Sequence, residues 1–313
     1  MTPEDALSVS RASQLANSIC TAVGLHILGK PTEIRLAVAC LLADGHLLIE
    51  DVPGVGKTTL ARALAEACGL AWHRLQFTSD MLPTDLLGVS VWESHSAQFV
   101  FRPGPLFAEL VLADEINRAP PKTQSALLEA MEEGRVSVEG ETRPLPSPFF
   151  VIATQNPTWH AGTFPLPESQ LDRFLMRLSL GYPPEEAEVA LLSGSPGARR
   201  LSLAPVVDRA ILLALQASCA NIHASEAIAR YIRRLLEASR LNAEFSLGLS
   251  PRAGLALLSA ARALALLEGR DFVAPEDVQQ AWLPVAGHRI TGRDGLPAPE
   301  AAVAALLAAT PIE

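Results

Sequence analysis

Two stretches of this chain carry residue types at a spacing suited to phosphate chemistry. In Leu47-Leu48-Ile49-Glu50-Asp51-Val52-Pro53-Gly54-Val55-Gly56-Lys57-Thr58-Thr59-Leu60 an apolar run reads as a strand, a Gly-bearing turn follows, and a helix opens at Thr58. Gly54 and Gly56 let successive backbone N–H groups point inward. The positive end of the helix dipole adds to the same spot, so a polyphosphate is the expected occupant. Lys57 would reach the β- and γ-phosphates as a point charge, and the Thr58 hydroxyl is placed to hold Mg²⁺. The usual Gly-x4-Gly-Lys-Ser/Thr spacing has a glycine where this chain has Asp51, so the turn into the loop must be made without it. The second stretch, Leu110 to Glu115, reads as a buried strand that delivers two carboxylates at its C-terminal end. Beside a phosphate loop, one carboxylate can hold Mg²⁺ through water while its neighbour orients and deprotonates the attacking water. Asp114 is assigned to the metal and Glu115 to the water. A plain Gly-rich turn and a solvated Asp-Glu turn are the bland alternatives, and the combination weighs against both.

The elements that must position these groups follow from periodicity. Apolar residues recur at helical spacing from Ala6 to Ile27, and Gly29-Lys30-Pro31 ends that helix. A second helix spans Thr32 to Leu42, and the helix after the phosphate loop runs from Thr58 to Cys68 and closes on Gly69. Ala71 to Thr78 reads as a strand, followed by a short helical piece at Leu86 and Leu87. Two hairpins are expected. In the first, Val89 and Val91 face Phe99 and Phe101 across Ser94-His95-Ser96; in the second, Val136 and Val138 precede a Glu139-Gly140 turn. Between them lies a helix from Pro120 to Glu133. Phe149 to Thr154 is a central strand presenting Asn156, which could hydrogen-bond a γ-phosphate or the attacking water, although an Asn before Pro157 is by itself more often a turn former. Gly181-Tyr182-Pro183-Pro184 is a linker, and helices follow, among them Glu226 to Leu241, Ala253 to Leu267 and Glu276 to Leu283. In the first of these, Arg230, Arg233, Arg234 and Arg240 lie mostly opposite the apolar face. A solvated helix face is the favoured reading of that basic stripe.

Length and composition bound the function. With 313 residues, 49% of them hydrophobic, the chain suffices for two domains with sizeable cores. Its net charge of −9 and pI near 5.3 argue against a sequence-blind grip on nucleic acid. Cys20, Cys40, Cys68 and Cys219 lie far apart, with neither metal spacing nor a disulfide framework, and fit buried thiols in a reducing cytoplasm. The seven histidines are scattered and read as structural. No export signal opens the chain, and charged or polar residues interrupt its longest apolar runs, so membrane insertion is not expected.

Taken together, Leu48–Thr59, Val111–Leu128, Ala153–Pro157, Gly162–Phe174 and Ser250-Pro251-Arg252-Ala253 resemble one family, the MoxR ATPases of the AAA+ class. The resemblance covers about Gly29 to Arg293, and Asp51 at the head of the loop looks like the usual MoxR form. It implies an α/β fold: a P-loop AAA+ core of parallel sheet flanked by helices with two hairpin inserts, then an all-α lid. Residues 1–182 would form the core with its N-terminal helix, and 183–313 the lid. It also implies ATP and Mg²⁺ as cofactors. Gly54, Val55, Gly56, Lys57, Thr58 and Thr59 would hold the nucleotide, with Thr58 and Asp114 on the metal. Glu115 would drive hydrolysis and Asn156 would serve as sensor 1. The hairpins would point toward the pore of a homo-oligomeric ring, a hexamer. Arg173, in Leu171-Asp172-Arg173-Phe174, matches the position of an arginine finger acting across a subunit interface. Arg118 and Arg177 are competitors, and an Asp172–Arg173 surface pair is the bland alternative. Arg252 resembles sensor 2 and could serve its own nucleotide or a neighbour's. The function implied is ATP-driven remodelling of a protein client with a von Willebrand factor A-domain partner, in the cytoplasm and without nucleic acid. A nucleic-acid translocase and a nucleotide-gated scaffold with little turnover stay as alternatives. Acidic charge and mixed-sign hairpin residues count against the first, and Glu115 against the second.

Overall fold

A computed structural model describes residues 7–156, 164–193 and 203–312. Ala6, Pro157 and Gly162, which figured in the expectations above, lie outside the described residues. Two helices come first, α1 (Val9–Gly24), whose N-terminus Ser8 caps through the backbone N–H of Arg11, and α2 (Pro31–Leu42), which has proline at its first position. They lead into β1 (Leu47–Glu50) and, after the phosphate loop, α3 (Lys57–Ala67). The central layer is completed by β2 (Trp72–Gln76), β5 (Leu110–Asp114), β8 (Phe150–Gln155) and β9 (Met176–Leu178). These five strands form one parallel sheet in the order β2-β5-β8-β1-β9, which sets the ends of β1, β5 and β8 side by side. Between β2 and β5 lie α4 (Pro83–Leu87) and the hairpin β3 (Gly88–Glu93) and β4 (Gln98–Pro103); α5 (Pro121–Glu133) and the hairpin β6 (Arg135–Val138) and β7 (Glu141–Pro144) lie between β5 and β8.

Alternation along the strands sorts their side chains to two faces. Leu47, Ile49, Leu110, Leu112, Phe150 and Ile152 enter one core, while Leu48, Val111, Ala113, Val151 and Ala153 enter a second beneath Leu86, Leu127, Leu128 and Met131. After β9, α6 (Glu168–Leu171) being the short turn that precedes it, the chain is mostly helical: α7 (Glu185–Leu192), α8 (Arg209–Ala220), α9 (Glu226–Leu241), α10 (Pro251–Leu267), α11 (Pro275–Ala286) and α12 (Glu300–Ala309). Their apolar residues, among them Leu215, Ile232, Leu257, Leu264, Trp282 and Val303, join the same core as α1, α2 and α3. The helical half also carries a small antiparallel ribbon of β10 (Phe245–Leu247) and β11 (Thr291–Gly292), which its helical periodicity does not announce.

One local expectation changes. In the first hairpin Trp92 faces Phe99, Ser90 faces Phe101, and Val91 faces Val100, so the valines and phenylalanines occupy opposite faces. The turn closes with Ala97 at φ +49, which shifts the register by one residue and so exchanges the faces. On α9 the basic stripe is the solvated face expected: Arg230, Arg233 and Arg240 are exposed, Arg230 pairing with Glu226 at 2.6 Å, Arg233 with Glu237 at 3.2 Å, and Arg240 donating to the Leu249 carbonyl.

Candidate functional site

The phosphate loop turns on two glycines in the left-handed region, Gly54 at φ +89 and Gly56 at φ +101, a conformation that costs a side chain dearly. Gly56 is the N-cap of α3, so the first N–H groups of that helix open toward a cavity of about 360 Å³. Pro53, Gly54, Gly56, Lys57, Thr58, Thr59, Arg74, Gln76, Asp114, Glu115 and Asn156 line it. Val55, grouped above with the nucleotide loop, instead packs its side chain on the main core, leaving its backbone to face a ligand.

Asp51 explains the missing glycine. Its backbone is not among the left-handed positions, so a side chain is tolerated. Its buried carboxylate accepts from the Val52 amide at 2.8 Å, the Ser179 hydroxyl at 3.0 Å and the Gly181 amide at 2.6 Å, bracing the loop against the chain that leaves β9. Lys57 donates to the Asp51 carbonyl at 2.6 Å and to Asn156 Oδ1 at 3.2 Å. Burial pushes its ammonium below the ordinary lysine range, opposed by the charges of Asp51, Asp114 and Glu115.

The strand-end carboxylates are held from several sides. Asp114 Oδ1 accepts from Thr154 Oγ1 at 2.6 Å, and Oδ2 from Arg74 Nη2 at 2.6 Å and Nε at 3.2 Å. Glu115 sits at φ +57, which turns its side chain out of the strand direction, and its amide donates to Thr154 Oγ1 at 2.9 Å. Gln76 donates to Glu115 Oε2 at 3.0 Å, Arg118 Nε approaches the same oxygen at 3.0 Å, and Asn156 Nδ2 donates to Oε1 at 3.3 Å. Arg74, Gln76 and Thr154 were not found by sequence reasoning. Alternation alone puts Arg74 and Gln76 on one face of β2, but that Gln76 lies beside Asp114 is set by the sheet register.

Arg173 and Arg252 do not line this cavity. They meet at Glu132 near the end of α5, each guanidinium 2.9 Å from a different carboxylate oxygen. Arg252 reaches that point because Ser250 caps α10 and Pro251 starts it, leaving the arginine on the first turn. Asp172 does not pair with Arg173; it pairs with the buried Arg289 at 2.6 Å. Arg289 also donates to the carbonyls of Asp172, Phe174, Leu175 and Val285, so the backbone on both sides of Arg173 is held by one guanidinium. Arg118 sits against Glu115, and Arg177 against Glu50 at 3.0 Å and Glu300 at 3.2 Å.

Comparison with known proteins gives the family. Residues 46–176 match a family described as ATPase family associated with various cellular activities (AAA), and residues 237–307 match the AAA lid domain. The chain is 49% identical to a Bacillus subtilis protein called YeaC and described as uncharacterized, over 81% of this chain and 79% of that one. It is 41% identical to Chaperone MoxR1 of Mycobacterium tuberculosis, over 84% of this chain and 72% of that protein, and 35% identical to Protein MoxR of Paracoccus denitrificans, over 84% and 85%. A crystal structure of a proposed ATPase from Cytophaga hutchinsonii superimposes with a TM-score of 0.88 at 33% identity, covering 96% of both chains. A five-stranded parallel sheet carrying a phosphate loop and paired carboxylates, a matching lid and this extent of identity to MoxR proteins make the chain a member of the MoxR family of AAA+ ATPases.

Proposed function

We propose that this chain binds ATP in the cavity at the sheet end, hydrolyses it with Mg²⁺, and uses the turnover to remodel a protein client within a cytoplasmic homo-hexameric ring. Residues 1–182 would do the chemistry and 183–313 act as the lid. The observation that carries this reading is the convergence of Lys57, Thr58, Asp114, Glu115 and Asn156 on one cavity. The Thr58 hydroxyl and Asp114 carboxylate, hard oxygen donors in that cavity, suit Mg²⁺, which when bound neutralises phosphate charge. Lys57, released from the Asp51 carbonyl, would contact the phosphates. Glu115, steadied by Gln76 and Asn156, would orient the attacking water and take its proton. Arg173 and Arg252 lie together outside the chain's own cavity, which supports their serving the nucleotide of an adjacent subunit. A finger of this kind is worth about 10³- to 10⁵-fold in rate. The chaperone name of one relative supports the remodelling role. The partner we propose is a von Willebrand factor A-domain protein, on the family resemblance alone. No described helix is long and apolar enough to cross a membrane, which is compatible with that setting.

The assignment is tested by separating binding from hydrolysis. Lys57→Ala is expected to weaken fluorescent-nucleotide binding, while Glu115→Gln binds and stalls. Equal loss of binding in both refutes the division of roles. The stalled variant is also the natural bait for capturing client and partner for mass spectrometry.

A further inference from the structure

Glu132 touches both arginines proposed to serve the adjacent subunit, with Arg173 Nη2 on Oε2 and Arg252 Nη2 on Oε1. The three residues come from separate parts of the chain: α5, the segment after α6, and the first turn of α10. Two guanidiniums side by side repel and carry long, rotamer-rich stems. A shared carboxylate offsets half of that positive charge and restricts both stems at once. Each arginine has five N–H donors, so a contact to Glu132 leaves most of them free for phosphate oxygens. About a third of the Glu132 side chain is exposed, and half of the Arg252 side chain, so the cluster lies at a surface that a second subunit can reach.

We propose that Glu132 is a positioning residue that joins Arg173 and Arg252 into a single two-guanidinium unit, presented to the polyphosphate held by a second copy of this chain. The inference rests on the reading that Arg173 acts across the ring interface. Glutamine is the informative replacement, being the same size but putting an NH2 donor where one of the two carboxylate oxygens stood, so the guanidinium that used that oxygen loses its acceptor. Reacting groups misplaced by about 1 Å lose on the order of 10²-fold, so Glu132→Gln is expected to lower kcat on the order of 10- to 100-fold. Its own nucleotide cavity is elsewhere in the chain, so fluorescent-nucleotide affinity stays at the wild-type value. Glu132→Asp, which keeps both acceptors, recovers part of kcat.

The test is performed in mixed rings whose composition native mass spectrometry verifies. Glu132→Gln subunits retain a complete cavity, and Glu115→Gln subunits retain a complete Glu132–Arg173–Arg252 unit. Mixing the two therefore restores turnover at interfaces where the second serves the first. A parallel mixture of Arg173→Ala with Glu115→Gln tests the underlying reading. If that reference mixture regains activity while Glu132→Gln turns over like wild type, loses nucleotide affinity or is not rescued, the proposal for Glu132 is overturned and the trans finger stands. If the reference mixture stays inactive in verified mixed rings, the trans finger falls and Glu132 falls with it.

Discussion

Replacing Asp51 by glycine would restore the residue type usual at the head of a phosphate loop, and it should nonetheless weaken this protein. The Asp51 carboxylate accepts three hydrogen bonds, from Val52, Ser179 and Gly181. Bonds to a charged acceptor contribute about 1.5–3 kcal/mol each when buried. Ser179 is exposed and Val52 and Gly181 are half-buried, so water replaces part of what is lost. Glycine adds about 0.5–1 kcal/mol of backbone entropy cost, since this position has no need of a left-handed conformation. The sum is about 2–4 kcal/mol for Asp51→Gly and about half of that for Asp51→Asn. Urea unfolding of the nucleotide-free protein measures it, because bound ATP would mask the change by mass action. Ser179→Ala combined with Asp51→Gly should cost less than the two singles added, as they share one bond. An unfolding free energy for Asp51→Gly within about 0.5 kcal/mol of wild type would refute the bracing role.

Three further outcomes are expected. Arg289→Met leaves Asp172 and several carbonyls without their donor and should cost about 3 kcal/mol in chemical denaturation, whereas Arg289→Met with Asp172→Leu should recover much of it; a double variant no better than the single contradicts this. Burial pushes His46 down to about 4, below its ordinary value near 6.5, so the unfolded chain binds more protons between about pH 4 and 6.5. Stability is therefore full above that window and falls as pH drops through it; His288, lowered by burial and by Arg289, acts in the same direction, and His46→Gln should flatten the profile measured by urea midpoints. Finally, the hairpin cations are paired within their own hairpins or beside them, Arg102 with Glu93, Arg135 with Glu133 and Arg143 with Glu141, so single-stranded DNA or RNA at physiological salt should leave ATP turnover unchanged. A several-fold stimulation would favour a translocase.

The reach of the sequence follows from the range of the forces involved. Glycines that must adopt left-handed backbone, a lysine and threonine at a helix start, and an apolar strand ending in Asp114-Glu115 are all local patterns, so the order of the core elements and the cavity groups Lys57, Thr58, Asp114 and Glu115 were legible at once. The start of α9 at Glu226 was equally local, since Ser225 caps its own helix, whereas α10 begins at Pro251 behind its Ser250 cap, two residues before the Ala253 expected from periodicity. Pairings between distant segments had no such signal. Arg74 on Asp114, Thr154 bridging Asp114 to the Glu115 amide, and Gln76 on Glu115 depend on the strand order β2-β5-β8, which alternation within any one strand cannot specify. A turn residue at positive φ moved the first hairpin by one position and so reversed its faces. Asp51 departs from the general phosphate-loop spacing and matches the MoxR form, but what its carboxylate does there is decided by the donors on the chain leaving β9. Only the packing of the helical half against the sheet brought Arg252 to the carboxylate that Arg173 already occupied and set Arg289 beneath the finger segment, because a guanidinium's partner is chosen by what folding leaves within reach and out of water.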